Sequence, residues 1–266
     1  MRRKVMLKVG VKSDKGKVRQ RNEDSYCVCE HLFAVADGLG GHLAGEVASK
    51  LAIEELVKAL SGKQLVDLKE LEEVFQKANE AICQLANANP QYQGMGTTLT
   101  AAHIWQDRII LGHVGDSRAY LFRAGELIQL TRDHSLPAEL YRQGELSEEE
   151  AETHPQRHVL TQALGVASEI DVDTSQLGFG AGDLLLLCTD GLHGKVSKSQ
   201  IEEILKEAAD PQQAADRLVE AALLAGGQDN ITVIVIQNHE GDIVDHEFSM
   251  ELDELLEKFQ APVGVC

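Results

Sequence analysis

Acidic side chains stand at several points where a folded chain has little use for charge. Asp37 closes the apolar run Leu32 to Ala36 and opens the segment Asp37-Gly38-Leu39-Gly40-Gly41-His42. Asp116 lies in Gly115-Asp116-Ser117-Arg118, straight after a strand pattern that ends at Val114. Asp190 follows the run Leu184 to Thr189 and precedes Gly191, and Asp229 comes just before the run Ile231 to Ile236. Glu23 and Asp24 stand next to a fifth strand pattern. An acid at the end of a buried strand is costly unless something pairs it. A shared metal centre accounts for them together. Oxygen donors, with no paired His or Cys at ligand spacing, favour magnesium or manganese over zinc. Several carboxylates on one centre suit two such cations, which hold a bridging water and lower its pKa. The Gly38 carbonyl can approach a cation closely, and Gly40-Gly41 permit a turn that side chains would obstruct.

The elements that must carry these residues follow from periodicity. Strand patterns fall at Val5 to Val11, Ser25 to Cys29, Leu32 to Ala36, Thr97 to Trp105, Arg108 to Val114, Arg118 to Arg123, Leu127 to Leu130, Asp171 to Leu177, Leu184 to Cys188 and Ile231 to Ile236. The four from Thr97 to Leu130 are joined by short polar separators, the sequence of an antiparallel meander. Helical patterns cover His42 to Leu60, with Val47, Leu51 and Leu56 on one face, then Asp67 to Ala88, Ser197 to Ala208 and Pro211 to Leu224. Strands in runs with helices inserted in pairs predict an α+β fold with helices outside antiparallel sheets.

The 266 residues, 43% of them apolar, suffice for one domain plus a tail. A net charge of −18 argues against nucleic-acid and anionic-membrane partners, and no segment reads as a signal peptide or a membrane span. A soluble, cytoplasmic protein is expected. Cys27, Cys29, Cys83, Cys188 and Cys266 form no CxxC pair and read as reduced packing thiols, with Cys266 exposed.

Eight motifs in order, RxxxED (Arg19 to Asp24), DGxGGH (Asp37 to His42), GTT (Gly96 to Thr98), GDSR (Gly115 to Arg118), DHS (Asp133 to Ser135), ALG (Ala163 to Gly165), TDG (Thr189 to Gly191) and GGxDNIT (Gly226 to Thr232), resemble the PPM family, the metal-dependent type 2C protein serine/threonine phosphatases. The spacing is most similar to the compact bacterial members. The resemblance implies an α-β-β-α sandwich, two antiparallel sheets flanked by helix pairs, with two manganese or magnesium ions at one edge. It implies that Asp37 bridges the ions, that the Gly38 carbonyl binds one and that Asp190 and Asp229 hold the other, with Glu23 and Asp24 acting through water. Arg19 would clamp the substrate phosphate, and a metal-activated water would attack phosphorus in line. His42 is the candidate acid for the leaving Ser or Thr oxygen. Asp116 and Asp190 resemble ligands of a third ion, although Gly194 stands where the family often has a further acid. Gln162 stands where the family often has Arg. His134 and His193 are read as structural.

The expected function is hydrolysis of phosphoserine and phosphothreonine on phosphorylated proteins, opposing a bacterial Ser/Thr kinase, by a monomer. A regulatory binding protein with a degenerate site is the alternative, and a metal nuclease is disfavoured by the charge. The polar stretch Leu136 to Arg157, with Glu148, Glu149, Glu150 and Glu152, reads as short helices and a surface loop and resembles a flap beside the site. The domain is expected to span 1–238. In 239–266 eight acids face one Lys258, and Phe248, Leu252, Leu255, Leu256 and Phe259 share a helical face. The reading there is an acidic amphipathic tail that docks on the core or takes a partner.

Overall fold

The central strands of this chain are apolar on both faces, and the computed structural model, which describes residues 6–40 and 44–240, shows why. Two sheets lie face to face, each with helices on its outer side, so a strand buries side chains in both directions. One sheet has the order β1 (Met6–Asp14), β11 (Ile231–Glu240), β10 (Leu184–Cys188), β7 (Arg118–Arg123), β8 (Glu126–Gln129). The other has the order β2 (Asp24–Cys29), β3 (Leu32–Leu39), β5 (Leu99–Trp105), β6 (Arg108–Val114), β9 (Asp173–Gly178), with β4 (Gly96–Thr97) added beside β3. All the pairings are antiparallel.

The alternation of side chains along a strand sorts them into three layers. From β3, Phe33 and Val35 enter the layer between the sheets with Leu187 and Ile234. Leu32, Ala34 and Ala36 point the other way, against α1 (Ala44–Leu60) and α2 (Leu68–Ala88). On the far side Leu186, Val233 and Val235 pack under α6 (Lys198–Glu207) and α7 (Pro211–Leu224). Local signals set the helix ends. Asp67 caps α2 by accepting from the Glu70 amide at 2.8 Å, Ser197 and Gln200 form a capping box on α6, and Asp210 precedes Pro211 at the first position of α7.

Two expectations are corrected. The run Thr97 to Leu130 is not one meander. The β5–β6 hairpin belongs to one sheet and the β7–β8 hairpin to the other, and the chain crosses between them at Gly115, where φ is +111°. A Cβ there would lie 2.6 Å from the Thr98 side chain, so only glycine makes this crossing. The buried face of α1 is also not centred on Val47 and Leu51, which are half-buried; Ala48, Ala52, Leu56 and Leu60 form it. Small residues let this helix lie close on the sheet. At its start Gly45 meets Gly38 so tightly that a Cβ on Gly38 would be 2.2 Å from the Gly45 carbonyl oxygen.

The stretch Leu136 to Arg157 holds α3 (Leu136–Arg142) and α4 (Glu148–Thr153), with α5 (Asp190–His193) a short turn after β10. Strand β11 runs on to Glu240, opposite Met6, so 239 and 240 belong to the sheet. His42, the tail beyond 240 and Cys266 lie outside the described residues. Among the described residues the cysteines are free, Cys27 and Cys188 being buried. No described helix is long and apolar enough to cross a membrane.

Candidate active site

The strand ends that carry the acids meet at one edge of the sandwich. Asp24 begins β2 and Asp37 lies near the end of β3, directly opposite it in the ladder. Asp116 follows β6 at the crossing between the sheets, Asp190 follows β10, and Asp229 precedes β11. All the predicted acids are therefore assembled on one side, with Glu23 beside Asp24 and the Arg19 Nη2 donating to Asp229 Oδ2 at 2.8 Å.

Each acid is held by neighbours, several of them far away in sequence. Asp24 Oδ2 accepts from the Thr232 hydroxyl at 2.6 Å and the Thr189 hydroxyl at 2.9 Å. The backbone of Asp37 is fixed on both sides: its amide donates to Thr98 Oγ1 at 2.9 Å, and its carbonyl accepts from Thr97 Oγ1 at 2.8 Å and the Thr98 amide at 2.9 Å. The GTT motif thus aims the Asp37 carboxylate. Asn230, 3% exposed, donates through its Nδ2 to the carbonyls of Lys15 and Arg21 at 2.9 and 2.8 Å. Its Oδ1 accepts from the Glu23 amide at 2.8 Å, so one amide side chain clamps the whole loop that carries Arg19.

The GDSR and DHS motifs serve each other. Arg118 donates to both oxygens of Asp133, at 2.7 to 3.1 Å, and to the Tyr120 hydroxyl at 3.0 Å. His134 grips Gly115, its Nδ1 accepting from the Gly115 amide at 3.1 Å and its own amide donating to the Gly115 carbonyl at 2.7 Å. His193 Nε2 donates to the Asp116 carbonyl at 3.0 Å. These contacts fix the backbone on both sides of Asp116.

The electrostatics are those of crowded anions. Burial, with Asp190 and Asp229 nearby, pushes the Asp24 carboxyl up to about 7 against the pull of the two threonine hydroxyls. Burial and then Asp24 and Asp190 hold the Asp37 carboxyl well above the usual range, and burial and Asp190 do the same for Asp116. Asp190 goes the other way. Burial opposes its charge, but His158, His193 and a hydrogen bond with Asp37 outweigh it and lower its pKa. A protonated Asp37 carboxyl donating to an ionised Asp190 satisfies both shifts.

This donor set fits hard cations. The Oδ1 atoms of Asp24 and Asp190 are buried and, among the described residues, without a hydrogen-bond partner. Two orphaned carboxylate oxygens in one acidic cluster are what a cation with oxygen ligands would satisfy. The acids nevertheless meet in pairs, Asp37 with Asp190 and Asp229 with Arg19. Among the described residues no three Asp, Glu, His or Cys side chains surround a common point.

Thr98, Thr189, Asn230 and Thr232 lie inside the motifs, but their supporting roles emerge only in the fold. His158 lies in none of the motifs. The ring Nδ1 of His158 lies 3.8 Å from Asp190 Oδ2, so the segment after α4 reaches the site. An exposed imidazole in a polar loop carries no local signal of that approach.

The arrangement has known counterparts. Residues 17–225 match the family model described as protein phosphatase 2C. The chain is 41% identical over 238 residues to the serine/threonine phosphatase stp of Listeria monocytogenes, covering 85% of this chain and 94% of that protein. The crystal structure of the Mycobacterium tuberculosis serine/threonine phosphatase PstP/Ppp superimposes with a TM-score of 0.84 at 41% identity, over 88% of this chain and 99% of that one. The catalytic domain of PstP in complex with two manganese ions gives 0.81 at 40% identity, again over 88% and 99%.

Proposed function

The chain belongs to the protein phosphatase 2C family, a metal-dependent serine/threonine phosphatase by that membership, and on this premise we propose which of its residues perform the reaction and on what. The observation that carries the assignment is the pair of orphaned oxygens, Asp24 Oδ1 and Asp190 Oδ1, within a cluster of acids at one sheet edge. Asp37, the Gly38 carbonyl, Asp190 and Asp229 hold two divalent cations, manganese or magnesium, with Glu23 and Asp24 contributing through water. Asp116 and Asp190 would hold a third. Bound there, the cations supply Lewis acidity and lower the pKa of a coordinated water.

The chain's own residues do the rest. Arg19 contributes a planar fork of five donors, of which Nη2 is engaged by Asp229. The others remain for the phosphoryl oxygens, so the same guanidinium orients substrate and acid together. Thr97 and Thr98 keep the Asp37 carboxylate aimed, and Asn230 keeps the Arg19 loop in place. His42 serves as the acid that protonates the departing serine or threonine oxygen. The substrates are phosphorylated proteins, the opposing enzyme is a Ser/Thr kinase, and the working form is a cytoplasmic monomer. Residues 241–266 carry seven acids against one lysine, Lys258.

The test is hydrolysis of a phosphothreonine peptide by the purified protein, first in EDTA and then with manganese or magnesium. Turnover that appears only with a divalent cation is the expected result. Folded protein without turnover in either cation would overturn it.

A further inference from the structure

A protein carrying a net charge of −18 concentrates cations beside its reactive centre. The loop after β1 reads Lys15-Gly16-Lys17-Val18-Arg19-Gln20-Arg21, with four basic residues and no acid. Lys15, Lys17 and Arg21 are exposed, as is Val18 between them at 66%. Neither lysine makes an ion pair with a described residue, and Arg21 lies 3.9 Å from Glu46 and also acts on Glu23.

The backbone beneath these cations is fixed. The Gly16 amide donates to Asp14 Oδ1 at 2.8 Å and the Lys17 amide to the Gly227 carbonyl at 2.7 Å. Asn230 holds the Lys15 and Arg21 carbonyls. Gly16 lies so close to Asp229 that a Cβ on it would be 2.2 Å from the Asp229 carbonyl oxygen. The strip is therefore built into the rim of the site on the Asp229 side, next to the arginine that pairs with Asp229.

We infer that Lys15, Lys17 and Arg21 form a specificity surface that selects phosphorylated segments carrying Asp or Glu next to the phosphoresidue. The inference rests on the phosphatase reading above. Phosphate on Arg19 places the neighbouring residues of a bound peptide over this strip. Each exposed pair is individually weak, so the effect is a preference and not a requirement.

The experiment compares two phosphothreonine peptides, alike except that Glu flanks the phosphoresidue in one and Gln in the other. The full chain with manganese is set against a Lys15→Gln, Lys17→Gln, Arg21→Gln variant. We expect the unmodified chain to favour the Glu peptide by about three- to tenfold in kcat/KM, chiefly through KM. The variant should lose that ratio, and so should the unmodified chain at roughly 1 M salt, where the screening length is about 3 Å. Turnover of both peptides at equal rates, or a preference that survives in the variant, would overturn the specificity surface and leave the phosphatase reading intact. Absence of turnover on both peptides would remove both.

Discussion

Asp24 and Asp37 face each other across the β2–β3 ladder, one register pair at the edge of the sheet, with the Thr189 and Thr232 hydroxyls on the Asp24 side and Asp190 on the Asp37 side. Like charges opposite one another in a ladder destabilise it, and burial makes this worse. The pKa shifts avoid that clash by keeping the Asp37 carboxyl protonated, while two hydroxyls support Asp24.

Asp37→Asn separates the two effects. Peptide hydrolysis should fall on the order of a thousandfold, equivalent to several kcal/mol of lost charge stabilisation in the transition state. In EDTA the variant should melt no lower than the unmodified chain, since the introduced amide can donate to Asp190 as the protonated carboxyl does, and the thermal shift produced by manganese should shrink. Undiminished activity, or an unchanged manganese shift, would count against the role given to Asp37.

Thr232→Val removes the 2.6 Å donor to Asp24 and keeps the shape of the side chain. A buried carboxylate then has one hydroxyl partner in place of two, which should cost about 1–3 kcal/mol in chemical denaturation. Support of this kind is worth about 10–100-fold in metal affinity or activity, so the half-saturating manganese concentration should rise as well. A variant matching the unmodified chain in both measurements would show that Thr189 alone suffices.

Asn230→Ala abandons the Lys15 and Arg21 carbonyls and the Glu23 amide together. We expect a loss of about 2–4 kcal/mol from buried groups left unpaired. Because the freed loop carries Arg19, KM for the phosphopeptide should rise severalfold. Hydrogen exchange of residues 15–23 should speed up; unaltered protection there would mean that other contacts hold the loop.

Acid sensitivity has an identifiable source in His113, 1% exposed, whose pKa is lowered to about 4 by burial and by His134, the rings lying 4.9 Å apart. The folded state keeps this imidazole neutral while the unfolded chain protonates it near 6.5. Above pH 6.5 the group is neutral in both states and contributes no pH dependence. As pH falls from 6.5 to 4 the unfolded state binds the extra proton, and roughly 3 kcal/mol of stability should be lost. Denaturation curves of His113→Gln should be flatter over this window, and an identical slope would place the sensitivity elsewhere.

Much of this was legible before any coordinates. Runs such as Leu32 to Ala36 and Leu184 to Cys188, apolar at every position, require strands covered on both faces, and acids with glycines at their ends require a shared partner. Eight motifs in order led to the family, and the acids they contain do assemble. These signals are local in sequence, since side-chain period, caps and glycine turns depend on a few residues each.

Only the tertiary structure decided how the parts support one another. Gly115 sends consecutive hairpins to different sheets, because a positive φ and a close approach to Thr98 fix a direction that short polar separators do not encode. The partners of Asp24 come from residues 165 and 208 positions away, the partner of the Glu23 amide from 207 away, and His158 reaches Asp190 from an exposed loop. Residue type and spacing say that a buried carboxylate must be paired. Which hydroxyl, amide or imidazole pairs it depends on strands meeting at one edge, which no local pattern specifies.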